Sequence, residues 1–167
     1  MNLKNLLSRG TVVLVNAAAK MQGMQVRLLA GEVKDGMEHF EPYGFTSNPL
    51  GGAEVLAAFF GGDRSHGVII CAGDRRFRLQ NTKPGEVALY TDEGDKIHFK
   101  RDRVIEIETM TLKVKATTAV EFDTPEIRTT GKIVSQGDQV AAGISQVNHG
   151  HGQVQAGNGV SGQSVAL

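Results

Sequence analysis

The chain has 167 residues, with 18 Lys+Arg against 18 Asp+Glu and so no formal net charge. That argues against the basic surface a nucleic-acid binder uses to displace counterions, and equally against a polybasic binder of membrane surfaces. Aromatics are 5% with no Trp, which leaves few stacking platforms for single strands, while 40% hydrophobic residues suffice for one ordinary domain or two small ones.

In chain order, Leu3-Lys4-Asn5-Leu6-Leu7 has the apolar spacing of one helical turn. Lys4 and Arg9 ahead of Thr11–Val15 loosely imitate a signal peptide, but the apolar run is short and Asn16 and Lys20 follow without a cleavage site. The expectation is a strand, in a protein made in the cytoplasm, with no run near the roughly 18 apolar residues of a membrane span. A second strand is predicted at Gln25–Leu29, joined to the first by Ala17-Ala18-Ala19. Residues 31–53 carry turn signals: Asp35-Gly36, Pro42, Tyr43-Gly44, Asn48-Pro49 and Gly51-Gly52.

Successive hairpins follow. Strands are predicted at Glu54–Phe60, Gly67–Ala72, Arg76–Leu79 and Glu86–Tyr90, separated by Gly61-Gly62-Asp63-Arg64, Gly73-Asp74 and the Pro84 turn. Short strands with regular turns fit a small antiparallel barrel or sandwich, and an OB-like Greek-key barrel fits the length of residues 1–92. Cys71, in the apolar run Val68–Ala72, is expected to be a buried small hydrophobe. As the one cysteine it forms no intrachain disulfide, so nothing here requires an oxidising compartment.

After Asp95 the texture changes. Ile97 and Phe99, Ile105 and Ile107, then Met110, Leu112, Val114 and Ala116 alternate with Thr and charged residues, and Val120, Phe122, Ile127, Ile133, Val140 and Ile144 continue. This is period-two alternation over about fifty residues. Full burial of a large apolar side chain contributes roughly 1.5–3 kcal/mol. A dozen left exposed would forfeit more than a typical net stability of about 5–15 kcal/mol. Another surface must cover them. Identical chains wound about a shared axis would do so, each inward face meeting two copies of itself; a monomeric β-sandwich continuing the first domain is the alternative.

Near the C-terminus lies Val147-Asn148-His149-Gly150-His151-Gly152. Alternate residues of an extended strand point the same way, so His149 and His151 present two imidazoles on one face. One chain supplies two nitrogens, too few for a closed metal site. Three chains supply six, which suits an octahedral transition-metal ion, iron(II) being the most available, whereas zinc prefers four ligands. Binding needs neutral imidazole and weakens below a pH of about 6.5. The same pair also reads as solvated histidines of a Gly-rich tail. His39, His66 and His98 are scattered and read as surface or structural residues, and Asp63 near His66 as part of a hairpin turn. The segment Gly152–Leu167 reads as a flexible tail or, after a trimeric strand stack, as a cap in which Asn158, Ser161 and carbonyls hold calcium.

No nucleophile elbow, phosphate loop or HExxH is present, and the expectation is no enzyme. Two alternatives belong to a small metal-binding OB-fold protein. A metalloenzyme built on His149 and His151 needs an open position and a third ligand type, and no Asp, Glu or Cys lies between Gln139 and Leu167. An oligonucleotide-binding OB-fold meets the charge and aromatic composition against it.

Several segments carry a family likeness: His39–Ser47, Gly61–Gly67, Lys83–Tyr90, Gly94–Lys100 and the tip His149-Gly150-His151-Gly152. Together they make the chain resemble the central baseplate spike of Mu-type contractile-tailed phages, the baseplate assembly protein V family. The resemblance spans nearly the whole chain. It implies an all-β homotrimer: an OB-fold-like barrel over residues 1–92 docking to the tail hub and other baseplate proteins, an intertwined triple-stranded β-helix over 93–145, and an apex over 146–167. At the apex His149 and His151 of three chains would hold one iron ion through six histidines. Such spikes sit at the baseplate tip of the virion and lead the tail through the host outer membrane. Some relatives carry a fused lysozyme domain, for which this chain has no room, so the implied role is mechanical. The composition after Gly152 departs from the family and leaves a calcium or chloride site open.

Overall fold

The structure, a computed structural model, describes residues 6–150 and Gly157. His151, Asn158, Ser161 and Leu3-Lys4-Asn5 lie outside the described residues. The chain divides into two compact units, Met1–Val114 and Lys115–Leu167.

The first unit begins with five strands: β1 (Leu7–Asn16), β2 (Gly23–Leu28), β3 (Val33–His39), β4 (Glu54–Phe59) and β5 (Gly67–Gly73). They close into a barrel in the order β1-β2-β3-β5-β4. β1 is long enough to serve both ends of the sheet. Leu7–Thr11 pairs with β4, and Gly10–Asn16 pairs with β2. The neighbours are antiparallel except β3 and β5, which meet in parallel through Glu38↔Val68 and His39↔Ile69. This is the OB-like barrel expected from strand length and turn spacing.

Period-two alternation puts Met24, Val26 and Leu28 of β2 inside, facing Val55, Ala57 and Phe59 of β4 and Ile69 of β5. Met24, Val26 and Ile69 are wholly enclosed. Where β1 bends between its partners, a Cβ on Gly10 would stand 2.6 Å from the Arg27 carbonyl oxygen. Glycine at that position lets the backbones cross.

Four expectations are corrected. Residues 33–39, read as turn-rich, form β3. Between Met24↔Met37 and Val26↔Lys34 the partner strand carries Asp35-Gly36 against the single Gln25, a β-bulge with Gly36 at φ +63°. The turn signal was real but sat inside a strand. Arg76–Leu79, expected as a strand, forms none; a turn over 75–77 takes its place, in which Asp74 accepts the Arg76 backbone N–H at 3.0 Å and holds its guanidinium. Cys71 is exposed. The register jumps from Leu56↔Cys71 to Ala57↔Ile69, so Ile70 is the extra residue of a bulge, and both Ile70 and Cys71 are left outside. Leu7 opens β1 rather than closing a helical turn.

Three further strands, β6 (Val87–Tyr90), β7 (Lys96–Phe99) and β8 (Ile105–Glu108), make an antiparallel sheet of their own. In the second unit, β9 (Val140–Ala141) and β10 (Ile144–Ser145) form a hairpin whose loop residues Ala142 and Gly143 both have positive φ. Among the described residues no strand lies between β8 and β9, although apolar and polar residues alternate there. No helix among them is long and apolar enough to cross a membrane.

Candidate functional site

Two features set this chain apart from a self-sufficient barrel. One is apolar surface that the chain leaves uncovered; the other is the turn that carries His149.

The register of the three-stranded sheet aligns Val87, Phe99 and Ile105 in one row and Leu89, Ile97 and Ile107 in the next. All six share a face, and all six are exposed. The opposite face is polar and internally satisfied. Lys96 pairs with Glu108 at 2.5 Å and Lys100 with Glu106 at 2.9 Å. His98 is buried on this face, its Nε2 3.2 Å from Glu86 Oε2. Glu86 also accepts the backbone N–H groups of Lys83 at 2.9 Å and Arg101 at 3.2 Å. These donors, Lys83 first, hold its carboxyl below the usual carboxylate value. One carboxylate thereby ties the turn before β6, the middle strand and the turn after β7. Glu86 was not singled out from sequence; a lone Glu after Lys-Pro-Gly carries no signal of three such partners.

The pattern continues past the sheet. Leu112, Val114, Val120, Phe122, Ile127 and Ile133 are each more than half exposed. Scattered exposed apolar residues are ordinary, but large ones left exposed segment after segment mark surfaces that meet another.

His149 follows the β9–β10 hairpin. Ser145 Oγ accepts the Asn148 backbone N–H at 2.8 Å, and the Ser145 carbonyl lies 2.9 Å from His149 Nδ1. A carbonyl only accepts, so Nδ1 carries the proton and Nε2 the lone pair. This is the tautomer of a metal ligand whose other ring nitrogen is anchored to backbone. The donor chemistry at His149 therefore fits an imidazole-ligated transition metal; His151, its expected partner, lies outside the described residues. Among the described residues no group of three or more His, Cys, Asp or Glu gathers as a metal site within one chain.

The remaining histidines have structural surroundings. His39 is buried in the barrel wall, its Nδ1 3.3 Å from Gln22 Oε1. His66 packs its ring on Phe60 at 5.0 Å. Asp63 accepts the Ser65 N–H at 2.8 Å and hydroxyl at 2.7 Å, closing the expected turn. Arg64 stands over the Phe59 ring at 4.5 Å and pairs with Glu32.

Comparison with known proteins agrees with this division of the chain. The family described as Bacteriophage Mu Gp45, N-terminal, matches residues 9–76, which contain the five barrel strands but for Leu7 and Ser8 at the start of β1. Over 141 residues the chain is 36% identical to the baseplate puncturing device gp45 of Escherichia phage Mu, covering 84% of this chain and 72% of that protein. Over 161 residues it is 34% identical to the Mu-like prophage FluMu protein gp45 of Haemophilus influenzae, covering 89% and 87%.

Proposed function

The chain belongs to the bacteriophage Mu Gp45 family, and on that premise we propose that three copies assemble into the spike of a contractile tail. It is a component of the virion's tail baseplate, as the puncturing-device relative is by name. The barrel within residues 1–92 docks to the tail hub. Residues 93–145 wind with two copies of themselves into a triple-stranded β-helix, and residues 146–167 form the apex that enters the host outer membrane. The role is mechanical rather than enzymatic.

The observation that carries this reading is the exposure of every large apolar residue from Val87 to Val147. In one chain these side chains have no partner layer. Three chains about an axis give each a partner layer and give each edge strand a neighbour, which removes free edges. Backbone pairing between chains also resists bending without a thick core, which a thin penetrating object cannot have.

At the apex, His149 and His151 of each chain hold one iron ion. The ion supplies no reaction; it links three chain ends that would otherwise fray. The Nδ1–H of His149 on the Ser145 carbonyl supports the assignment of its Nε2 as the ligand atom.

The test is native mass spectrometry of the full chain with elemental analysis. Three chains carrying one iron are expected. A monodisperse monomer with full β content overturns the spike; a trimer without bound transition metal overturns the apex site alone.

A further inference from the structure

The turn that carries His149 is held by a carboxylate eleven positions earlier in the chain. Asp138 stands just before β9, and its Oδ1 accepts the Val147 backbone N–H at 3.1 Å. The polar groups around it, the Ser145 side chain foremost, keep the Asp138 carboxyl below its ordinary value. Ser145 takes the next two bonds of the turn. Its Oγ takes the Asn148 N–H at 2.8 Å, and its carbonyl takes the Nδ1–H of His149 at 2.9 Å.

The hairpin itself accounts for little of this. β9 and β10 pair through just Ile144↔Ala141 and Ser145↔Val140, reinforced by Gln146 N–H to the Gln139 carbonyl at 2.9 Å. A two-pair hairpin is marginal by itself in water. The carboxylate takes its donor from Val147, in the turn that follows the hairpin. The imidazole is the group at the end of that chain of bonds.

We infer that Asp138 is a positioning residue for the apex metal: by holding the Val147 N–H, Asp138 fixes the turn that leads to His149 and keeps its Nδ1–H on the Ser145 carbonyl, so that Nε2 is the nitrogen with a lone pair for the ion. The inference rests on the metal reading of His149. An anchored second nitrogen fixes ring orientation and raises ligand basicity, and loss of such an outer partner typically lowers metal affinity about 10–100-fold.

The experiment uses the full chain in two states. Metal-free protein labelled with 15N-histidine reports the His149 tautomer through two-bond proton–nitrogen couplings, with His149→Gln identifying its signals. Iron affinity is read by competition with a chromophoric chelator. Wild type is expected as the Nδ1–H tautomer. Asp138→Asn, which replaces two acceptor oxygens by one and adds a donor, is expected to mix in the Nε2–H tautomer. It should also lose about 10–100-fold in iron affinity with its oligomeric mass unchanged. Ser145→Ala, which keeps the carbonyl but removes the hydroxyl link, should lose less, and it serves if the Asn variant fails to fold. Iron bound by wild type, with tautomer and affinity unchanged in both variants, overturns this inference alone. A wild-type protein that takes up no iron overturns the metal reading and this inference with it.

Discussion

The barrel and the stretch from residue 109 to 147 use the same sequence grammar to opposite effect. Both alternate apolar and polar residues. In the barrel, Met24, Val26 and Ile69 are wholly enclosed by strands of the same chain. In the later stretch Phe122 is 69% exposed and Ile133 66%. Alternation states which side of a strand is to be buried; it does not state whose atoms will bury it. The barrel's stability is therefore a property of one chain, whereas in the proposed trimer that of the later stretch would depend on concentration.

The most severe way to break this contrast is to remove apolar groups from the later stretch. In the proposed trimer, Phe122→Ser with Ile133→Ser deletes six side chains that association would bury. At roughly 1.5–3 kcal/mol each, the association should weaken by on the order of 10 kcal/mol. Sedimentation should show dissociation, while the barrel's own unfolding transition stays where it was. A trimer that survives with unchanged stability would mean those faces are solvated in the assembly too.

Phe59→Ala is the converse test. Phe59 is buried, packed against Gly67 and covered by Arg64. The substitution should cost about 3–5 kcal/mol, seen in urea unfolding of the barrel, with no concentration dependence of its own.

Glu86 sharpens the comparison at the three-stranded sheet, where one face is satisfied internally and the other is not. Its carboxyl lies below its ordinary value of 4.5, chiefly through the Lys83 N–H. A depressed folded-state value means that the carboxylate stabilises the fold above its unfolded value and loses that contribution as pH falls through the lower folded one. Wild-type stability should therefore decline below about pH 4.5, and Glu86→Gln should flatten that limb while lowering stability at neutral pH. An acid limb identical in the two proteins would remove Glu86 from this role.

The smallest effect concerns the hairpin. Ala142 holds φ +50° ahead of Gly143 at φ +80°, the conformation of a two-residue turn that favours Asn-Gly. Ala142→Asn should stabilise the hairpin by about 0.5–1 kcal/mol, read as slower exchange of the Ser145 and Gln146 amides. Faster exchange would contradict the turn assignment.

Legibility in the sequence follows the same line. β1, β2, β4 and β5 were predicted within a few residues because each is an apolar or β-branched run between clear turn signals. β3 was not, because Asp35-Gly36 marks a bulge and a loop with the same letters. Cys71 faces out because a single inserted residue, Ile70, inverts the alternation beyond it. The strand expected at Arg76–Leu79 gave way to one local contact, Asp74 with Arg76, that hydropathy does not register. Near the C-terminus, His149 stood out by spacing and residue type. Asp138 and Ser145 did not, since a carboxylate that acts through backbone N–H groups leaves no pattern in side-chain order.

The parallel junction between β3 and β5 has a mechanical corollary. Every other join in the barrel is a ladder of at least four residue pairs, but this one has two, assisted by the Phe40 N–H on the Ile69 carbonyl. A cylinder stitched so unevenly unzips along its shortest hem. Tension applied across the wall should part β3 from β5 first, spreading the barrel into a curled ribbon whose other four joins still hold.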